Sequence, residues 1–324
     1  MNKYLGKDKL LYTAGNFNND IGLPLTLLNL KERHSHAVLE LGMNHAGEIA
    51  KLTKIAKPDI ALITNIGEAH IENFKSKDNI AEAKKELLNN SDQLETSILP
   101  RDDAYYKFLA KGKNNLNKIT FGFTKEATIN CKVLTRQKIT ISTPKENFDV
   151  KINLLGRHNI SNILAACACS YALGIPTNII KEGIEAAKPF PGRLEIIDSI
   201  SEAIIINDSY NANPSSMREA VDVLASMKGK KILVIGDMAE LGNNTDKYHR
   251  ELGEYIKKSQ IDFTLAIGSH TKITMQQLDK NEFWFDSKEA LLSKLLKIID
   301  SKSIILVKGS RFMRMEELIS KIIL

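Results

Sequence analysis

One short apolar run that ends in polar residues constrains the fold of this chain more than any other feature. Residues 59–70 read Asp-Ile-Ala-Leu-Ile-Thr-Asn-Ile-Gly-Glu-Ala-His, with the apolar part at 60–63. Such a run is long enough for a buried strand and too short for a helix. In an open α/β sheet, ligands bind beyond the carboxyl ends of the strands. The pattern therefore predicts an α/β fold in which Asn65 and His70 lie at a ligand-binding strand end.

Two neighbouring segments bring further charged residues to this part of the fold. Residues 81–88 read as a helix whose Lys84 or Lys85, depending on the helical register, faces back toward the same strand end. The apolar run just upstream has Glu40 embedded in it. A carboxylate inside a strand is costly to bury unless it pairs or binds a cation, so Glu40 and His70 could share a divalent metal. Taken alone, these residues favour a salt-bridged Glu40 and a surface His70.

The organisation of the chain predicts two domains. A length of 324 residues favours two domains over one. The segment 188–193, Lys-Pro-Phe-Pro-Gly-Arg, reads as a linker because proline and glycine break both helices and strands. The predicted domains are therefore residues 1–188 and residues 189–324.

Hydrophobic patterning predicts the architecture of each domain. In the first, a β-rich stretch at 119–155 alternates like an antiparallel hairpin beside the parallel sheet, and 160–173 reads as an apolar helix. In the second, strands and helices alternate, which indicates a doubly wound α/β domain. Its predicted elements are 203–206, 216–227, 231–235, 248–258, 264–267, 288–299, 303–307 and 315–323.

Composition excludes several classes of function. The net charge of +6 comes from lysines scattered along the chain, without a basic block, so no nucleic-acid partner is expected. No apolar run approaches transmembrane length and the first residues do not read as a signal peptide, so we expect a cytoplasmic protein without membrane contact. Cys131, Cys167 and Cys169 lack metal-ligand spacing and are expected to be reduced core thiols.

Eight motifs follow one another in an order that resembles the Mur ligase family. None is decisive alone, but together they extend from about Tyr12 to Met315. The motifs are residues 13–24, 40–45, 65–70, 156–162, 190–195, 207–214, 236–242 and 307–311. The resemblance implies the family's central ATPase-type domain, with a mostly parallel sheet and an antiparallel β element, followed by a Rossmann-like α/β carboxyl-terminal domain.

One part that the resemblance leads us to expect is missing from the sequence. Mur ligases carry a phosphate-binding loop, Gly-x-x-Gly-Lys-Thr/Ser, before the segment that here begins at Thr13. The Gly-Lys pairs of this chain are followed by Asp8, Asn114 and Lys231, and none forms the Gly-Lys-Ser/Thr triplet. The family's amino-terminal UDP-sugar domain is absent as well. The chain thus resembles a Mur ligase that lacks its first strand, its phosphate loop and its front domain.

The resemblance implies an ATP-dependent amide ligase that uses Mg²⁺. The motif Ser-Tyr-Asn-Ala-Asn-Pro at 209–214 is similar to the corresponding motif of family members that add D-Ala-D-Ala to UDP-MurNAc-tripeptide through an acyl phosphate. In this resemblance Glu40 and His70 are magnesium ligands, and Lys84 is the lysine whose carbamate helps to organise a second magnesium. Lys85 remains the alternative until the helical register is known.

The resemblance also implies nucleotide and substrate contacts. The nucleotide-binding residues would be His158, Asn159, Asn162, Arg193, Asp208 and Tyr210. The substrate-binding residues would be Asn16, Asn19, Asn211, Asn213, Lys308 and Arg311. Simpler interpretations compete with each set, because Asn and Asp also cap helices and shape turns, and Arg193 also reads as a surface arginine.

Two functions from different classes remain open on the sequence. The first is a ligase, truncated or working with a separately encoded amino-terminal half. The second is a catalytically inactive remnant that still binds nucleotide or peptide. Because positioning and charge stabilisation supply most phosphoryl-transfer catalysis, the chain alone is expected to turn over very slowly without its phosphate loop. A folylpolyglutamate synthetase is a third interpretation, and the sequence motif at 207–214 argues against it.

Overall fold

The computed structural model describes residues 2–111, 115–199 and 201–323. The Gly112-Lys113-Asn114 stretch considered above lies outside these residues. The chain divides into two compact units, and each contains segments that are distant in sequence. The first unit takes Met1–Gly67, Asn73–Asn153 and His158–Ala187, and the second takes Glu68–Glu72, Leu154–Arg157 and Lys188–Leu324.

The first unit contains eight strands among the described residues. The strands are β1 (Leu10–Tyr12), β2 (His36–Val38), β3 (Ile60–Leu62), β4 (Thr96–Pro100), β5 (Asn117–Gly122), β6 (Ile129–Thr135), β7 (Lys138–Ser142) and β8 (Asn147–Lys151). Its helices, of which α4 and α7 begin with residues assigned to the second unit, are α1 (Asn2–Leu5), α2 (Gly22–Leu27), α3 (Glu48–Ala56), α4 (Ile71–Phe74), α5 (Lys77–Asn89), α6 (Tyr106–Leu109), α7 (Arg157–Ala172) and α8 (Thr177–Glu185).

The strands of the first unit form two separate sheets. β1 and β2 make a parallel pair, and a six-stranded sheet has the order β3-β4-β5-β6-β7-β8. Pairing is parallel from β3 to β6 and antiparallel from β6 to β8, which confirms the predicted combination of a mostly parallel sheet with an antiparallel element. Alternating side chains of β7 explain the hairpin, since Ile139 and Ile141 are buried while the residues between them are not.

Helix α5 shows how the sequence places charged residues near a strand end. The Ser76 hydroxyl accepts a hydrogen bond from the Asn79 amide, which caps the helix amino terminus. Ile80, Ala81 and Ala83 are buried against the rest of the unit. This packing fixes the rotation of the helix and therefore the direction in which its lysines point.

The second unit is built on a single sheet in the described residues. Its strands are β9 (Glu195–Asp198), β10 (Ile204–Asp208), β11 (Lys230–Gly236), β12 (Phe263–Ile267), β13 (Glu282–Phe285) and β14 (Ser303–Lys308). Its helices are α9 (Pro214–Ala225), α10 (Thr245–Lys257), α11 (Thr271–Met275), α12 (Lys288–Ile298) and α13 (Glu316–Ile319). The strand order is β13-β12-β11-β14-β10-β9, parallel throughout except for β9. The predicted doubly wound α/β arrangement is confirmed.

The core of the second unit is formed by the four central parallel strands. Ile205, Val234, Leu265 and Val307, one from each of these strands, are all fully buried. Strands buried on both faces appear in sequence as continuous apolar runs, which is why these four were predictable.

Two further observations concern cysteines and membranes. All three cysteines are reduced, and Cys131 and Cys167 are buried as predicted, whereas Cys169 is only half-buried. Burial raises the pKa of the Cys167 thiol to about 12, so it stays protonated and unreactive at neutral pH. None of the helices formed by the described residues combines the length and the apolar character that crossing a membrane requires.

Candidate functional site

The two adjacent lysines of α5 point to different places. Lys84 donates a hydrogen bond from Nζ to the backbone oxygen of Asn65, 2.6 Å away, just beyond the carboxyl end of β3. Lys85 instead donates to the backbone oxygen of Phe108 at 3.0 Å, and its ammonium lies 4.0 Å from the centre of the Phe108 ring. The register left open by the sequence is therefore resolved, and Lys84 is the lysine at the strand end.

The surroundings of Lys84 act on the pKa of its ammonium in two opposite directions. Burial lowers the pKa of the Lys84 ammonium, while the charge of Asp103 works in the opposite direction. Asp103 itself lies beyond the end of β4 and accepts hydrogen bonds from the Ile66 and Tyr105 amides, both at 2.8 Å. Sequence reasoning missed Asp103, and the Asp-Asp pair that follows the segment Ile98-Leu99-Pro100 after one intervening residue was the pattern that could have revealed it.

Glu40 is not buried within a strand, and that expectation was wrong. β2 ends at Val38, and Glu40 lies exposed in the following loop. Its Oε1 accepts a hydrogen bond from Asn18 Nδ2 at 2.9 Å, and its amide donates to the Thr13 hydroxyl at 2.9 Å. Both contacts lie beyond the end of β2, in the loop that contains Glu40. An exposed carboxylate carries no desolvation cost that would require a cation.

The asparagine-rich loop 13–24 is organised partly by helix capping. Asn19 Oδ1 accepts from the amides of Ile21 and Gly22, at 3.2 and 2.8 Å, and so caps the start of α2. Asn16 is exposed. Asn18, which was not among the predicted binding residues, is the asparagine that contacts Glu40.

His70 lies in a part of the chain that belongs to the second unit. Its Nδ1 is 2.6 Å from Oε2 of Glu240, in the loop 236–242 that the sequence singled out. Both residues adopt a left-handed backbone, with φ of 57° for His70 and 60° for Glu240. Such conformations are uncommon for residues other than glycine and are held by their surroundings.

The chemistry at the end of β3 suits Mg²⁺, which prefers oxygen ligands. The Asn65 carbonyl and the Asp103 carboxylate supply oxygens near Lys84, and a carbamate on Lys84 would add two more. Among the described residues, however, no group of three or more His, Cys, Asp or Glu side chains is placed to hold a metal ion. The combination of Glu40, His70 and Lys84 as metal ligands stays a prediction.

The predicted adenine-side residues lie in the first turns of α7. Asn162 Nδ2 donates to Asn159 Oδ1 at 3.3 Å, so the two amides share one helix face. His158 precedes them on the same helix and is half-buried, whereas Asn162 is exposed.

In the second unit, the predicted residues Asp208 and Lys308 contact each other. They are register partners at the carboxyl ends of β10 and β14. Lys308 Nζ lies 2.7 Å from Asp208 Oδ2 and donates a second hydrogen bond to the Asn211 carbonyl at 2.9 Å. Only 3% of Lys308 is exposed. In this conformation the ammonium is therefore engaged inside the protein, which sets it apart from the exposed Arg311.

A cluster of one cationic and two aromatic side chains lies close in sequence to Asp208. The Arg193 guanidinium lies 4.3 Å from the centre of the Tyr210 ring, and Phe190 meets the same ring edge-on with a centroid distance of 6.1 Å. A hydrogen bond of 3.0 Å from the Tyr210 amide to the Gly192 carbonyl ties the two chain segments together. The positive φ of Gly192, 76°, is one that glycine adopts readily. This surface can stack on a planar ring or receive an anion.

The other predicted substrate residues divide into capping and exposed side chains. Asn213 Oδ1 accepts from the Ser216 amide at 2.9 Å while Ser216 Oγ accepts from the Asn213 amide at 3.0 Å, which forms a capping box before α9. Asn211 is exposed. Arg311 is exposed as well and contacts Glu316 at 3.0 Å.

Two buried side chains, those of Asp237 and His249, hold loop 236–242 in place through hydrogen bonds. Asp237 accepts hydrogen bonds from the His270 and Thr271 amides, at 3.1 and 2.8 Å, and so caps the start of α11. His249 Nε2 accepts from the Met238 amide at 3.3 Å, so its Nδ1 carries the proton and faces the Thr274 hydroxyl at 3.0 Å. Burial lowers the pKa of His249 to about 4.

Comparison with known proteins identifies relatives over nearly the whole chain. A family model described as "Mur ligase middle domain" matches residues 2–170, and one described as "Mur ligase, glutamate ligase domain" matches residues 192–311. The UDP-N-acetylmuramoyl-tripeptide–D-alanyl-D-alanine ligase of Escherichia coli K12 is 38% identical over 327 residues, covering 95% of this chain and 70% of the relative.

Solved structures also match nearly the whole chain. A crystal structure of MurF from Acinetobacter baumannii superimposes with a TM-score of 0.92 at 32% identity, covering 99% of this chain and 72% of the other. The MurF ligase of Thermotoga maritima in complex with ADP gives a TM-score of 0.87 at 27% identity, covering 97% and 73%.

Proposed function

This chain belongs to the Mur ligase family, and on that premise we propose that it carries the catalytic centre of a MurF-type ligase. The reaction joins D-Ala-D-Ala to UDP-MurNAc-tripeptide with consumption of ATP, a step of peptidoglycan precursor synthesis. The observation that supports this most is the 38% identity to the E. coli ligase of that name across 95% of the chain. The nucleotide-linked substrate and ATP are cytoplasmic compounds, which is our basis for proposing a cytoplasmic enzyme.

The chemistry proceeds in two steps. The terminal carboxylate of the tripeptide attacks the γ-phosphorus of ATP, forming an acyl phosphate and releasing ADP. The amine of D-Ala-D-Ala then attacks the acyl carbon, the amide bond forms, phosphate leaves and the amine loses a proton. Both steps need charge stabilisation and close positioning more than covalent help from the protein.

Lys84 is the residue to which we assign the most specific role. A neutral Lys84 amine can add to carbon dioxide and lose one proton, which gives a carbamate. Its lowered pKa and its position beside the Asn65 carbonyl support this assignment over Lys85. Together with Glu40 and His70, the carbamate would hold Mg²⁺, which supplies neutralising charge to the phosphates when bound.

The remaining assignments follow the resemblance. His158, Asn159 and Asn162 would contact the adenine, and Arg193, Asp208 and Tyr210 the rest of the nucleotide. Asn16 and Asn19 would face the muramyl peptide, and Asn211, Asn213, Lys308 and Arg311 the dipeptide. Of the last four, Asn211 and Arg311 have exposed side chains in support, whereas Asn213 and Lys308 are engaged in internal contacts. We place the domain border at 188/189.

The proposed enzyme needs a part that this sequence does not contain. Without the Gly-Lys-Ser/Thr loop the chain lacks the group that holds the ATP phosphates in the family. We therefore propose that a polypeptide carrying this loop, encoded separately or joined to the chain, completes the enzyme. The alternative is an inactive remnant that binds nucleotide or peptide.

Release of ADP tests the proposal. The chain would be assayed with ATP, UDP-MurNAc-tripeptide and D-Ala-D-Ala, alone and after co-expression with the part of the E. coli relative outside the aligned 70%. We expect ADP release that requires both peptide substrates in the co-expressed pair and is at background for the chain alone. Background rates in both samples, with the chain shown to be folded, would instead support the remnant.

A further inference from the structure

Two separate routes connect the end of β3 with helix α5 in the first unit. The ladder between β3 and β4 extends to Ile63, whose amide donates to the Ile98 carbonyl at 3.1 Å. Asn65 lies beyond it, and its carbonyl accepts from Lys84 Nζ of α5 at 2.6 Å, which is the direct route. The second route passes through the segment 101–105, which follows β4, and does not involve the lysine.

Asp103 forms the first half of the second route. Its Oδ2 accepts a hydrogen bond from the amide of Ile66, the residue after Asn65, at 2.8 Å. Its Oδ1 accepts from the Tyr105 amide, also at 2.8 Å. Hydrogen bonds to a charged acceptor are stronger than those between neutral groups. Ile66 is buried, so its amide depends on this protein acceptor.

Tyr105 forms the second half of this route. Its hydroxyl donates to Asp78 Oδ1 at 2.6 Å, and Asp78 belongs to the first turn of α5, the helix that carries Lys84. The hydrogen bond to Asp78 is the main cause that raises the pKa of the Tyr105 hydroxyl to about 12. The hydroxyl therefore keeps its proton and stays a donor at neutral pH. The end of β3 is thus tied to α5 through Asp103 and Tyr105 as well as through Lys84.

Formation of the proposed carbamate weakens the direct route and leaves the second one unchanged. The Lys84 ammonium has three N–H donors and a positive charge, whereas a carbamate nitrogen keeps a single uncharged N–H. The Asn65 carbonyl therefore loses a charge-assisted hydrogen bond. The charge of Asp103 attracts the ammonium and would repel the carbamate. The hydrogen bonds from the two backbone amides to Asp103 do not include the lysine, so they persist.

We propose that Asp103 and Tyr105 are positioning residues of the ligase, which hold the end of β3 beside α5 once Lys84 has given up its contact with the Asn65 carbonyl. The inference rests on the proposed function, which calls for the carbamate, and adds the residues that keep its surroundings in place. While Lys84 is an ammonium, the two routes support the strand end together. After carbamylation the route through Asp103 and Tyr105 carries this support. Both residues act through the backbone of Ile66 and through α5.

A double-mutant cycle on the chain by itself tests the two routes without any ligase activity. Lys84→Met removes the direct route, and Tyr105→Phe removes the second by deleting one oxygen atom. Because either route can support the strand end, the equilibrium constant for unfolding of the double variant should exceed the product of the two single effects by about 10-fold. Tyr106→Phe is the control, since its ring faces Arg101 instead, and its cycle with Lys84→Met should be multiplicative within about 2-fold. Multiplicative effects in both cycles would overturn the proposal.

Two adjacent aspartates give a matched pair of variants for the completed enzyme. Asp103→Asn keeps the shape of the side chain but only one acceptor oxygen for the two amides. Asp102→Asn makes the same change where the carboxylate accepts from the Phe123 and Thr124 amides, beyond the end of β5. We expect Asp103→Asn to lower kcat about 10-fold, the scale of one hydrogen bond to a charged group, with KM for ATP and D-Ala-D-Ala changed by less than about 2-fold. Asp102→Asn should retain kcat. Equal losses in the two variants, or a loss confined to KM, would overturn the proposal.

The two proposals fail in different ways. Coupling between Lys84 and Tyr105 in a chain whose completed complex shows no ligase activity would retain the double support of the strand end and refute the proposed function. Ligase activity that is insensitive to Asp103→Asn, together with a multiplicative cycle for Lys84 and Tyr105, would retain the function and refute the positioning role.

Discussion

A single position along a helix separates two chemically identical side chains. Lys84 and Lys85 are adjacent in sequence, yet one meets the Asn65 carbonyl and the other the Phe108 ring. Successive residues of a helix point about 100° apart, so the buried face of α5 decides which lysine reaches the strand end. The sequence located both lysines, and only the packing of Ile80 and Ala83 selects between them.

The two lysines therefore form a matched pair of variants. Lys84→Arg keeps the positive charge but cannot form a carbamate, so activity of the completed enzyme should fall by on the order of 100-fold or more. Lys85→Arg should retain most of the activity. Initial rates of ADP release at saturating bicarbonate provide the measurement, and equal losses in the two variants would contradict the assignment.

His249 predicts acid sensitivity at the scale of a single residue. Its folded-state pKa of about 4 lies below the ordinary value of 6.5, so the unfolded chain binds the proton more readily. Stability is therefore fully present above pH 6.5 and is lost as the pH falls toward 4. The expected loss at pH 5 is about 2 kcal/mol in the free energy of unfolding.

Denaturation at pH 7.5 and pH 5 measures this loss. His249→Gln should be less stable at pH 7.5 because buried hydrogen bonds change, but its stability should depend less on pH. The neighbouring, more exposed His270 provides the control, and His270→Gln should retain most of the pH dependence. A pH dependence that survives unchanged in His249→Gln would show that another group is responsible.

At the scale of elements, apolar runs predicted the central strands and failed at the edges of the sheets. β10, β11, β12 and β14 are buried on both faces and were found. β13, at the edge of the second sheet, was missed because Glu282 and its three aromatic neighbours are each only half-buried.

The segment after the predicted linker was misjudged for a related reason. β9 pairs antiparallel with β10 at the opposite edge, and its alternation of Glu195, Ile196, Ile197 and Asp198 does not form an apolar run. The final predicted helix, 315–323, forms only as α13 within the described residues. Pairing with a neighbouring strand, which a sequence does not display, decides such cases.

The start of α9 separates a structural asparagine from a proposed binding asparagine. Asn213→Ala removes the capping box and should cost about 1 kcal/mol of stability, with a lower melting temperature. Asn211→Ala removes an exposed side chain and should leave the melting temperature unchanged while raising the KM for D-Ala-D-Ala. Thermal unfolding and steady-state kinetics distinguish the two, and a reversed pattern would contradict both assignments.

At the scale of the whole molecule, the sequence located the family and its motifs but not their mutual contacts. That Asp208 pairs with Lys308, and that His70 meets Glu240, depends on residues 100 and 170 positions apart. The contact between Glu40 and Asn18 likewise joins two loops that are 22 residues apart in sequence. Periodicity describes single elements, and contacts at this separation require the fold.

Isotope transfer provides the most direct test of ligase chemistry in this chain. The completed complex would be given UDP-MurNAc-tripeptide whose reacting carboxylate carries ¹⁸O, together with ATP and D-Ala-D-Ala. An acyl phosphate hands one carboxylate oxygen to the leaving phosphate, so we predict one ¹⁸O per phosphate released. Unlabelled phosphate would mean that ATP is simply hydrolysed, and would contradict the proposal that this chain holds the centre of an amide ligase.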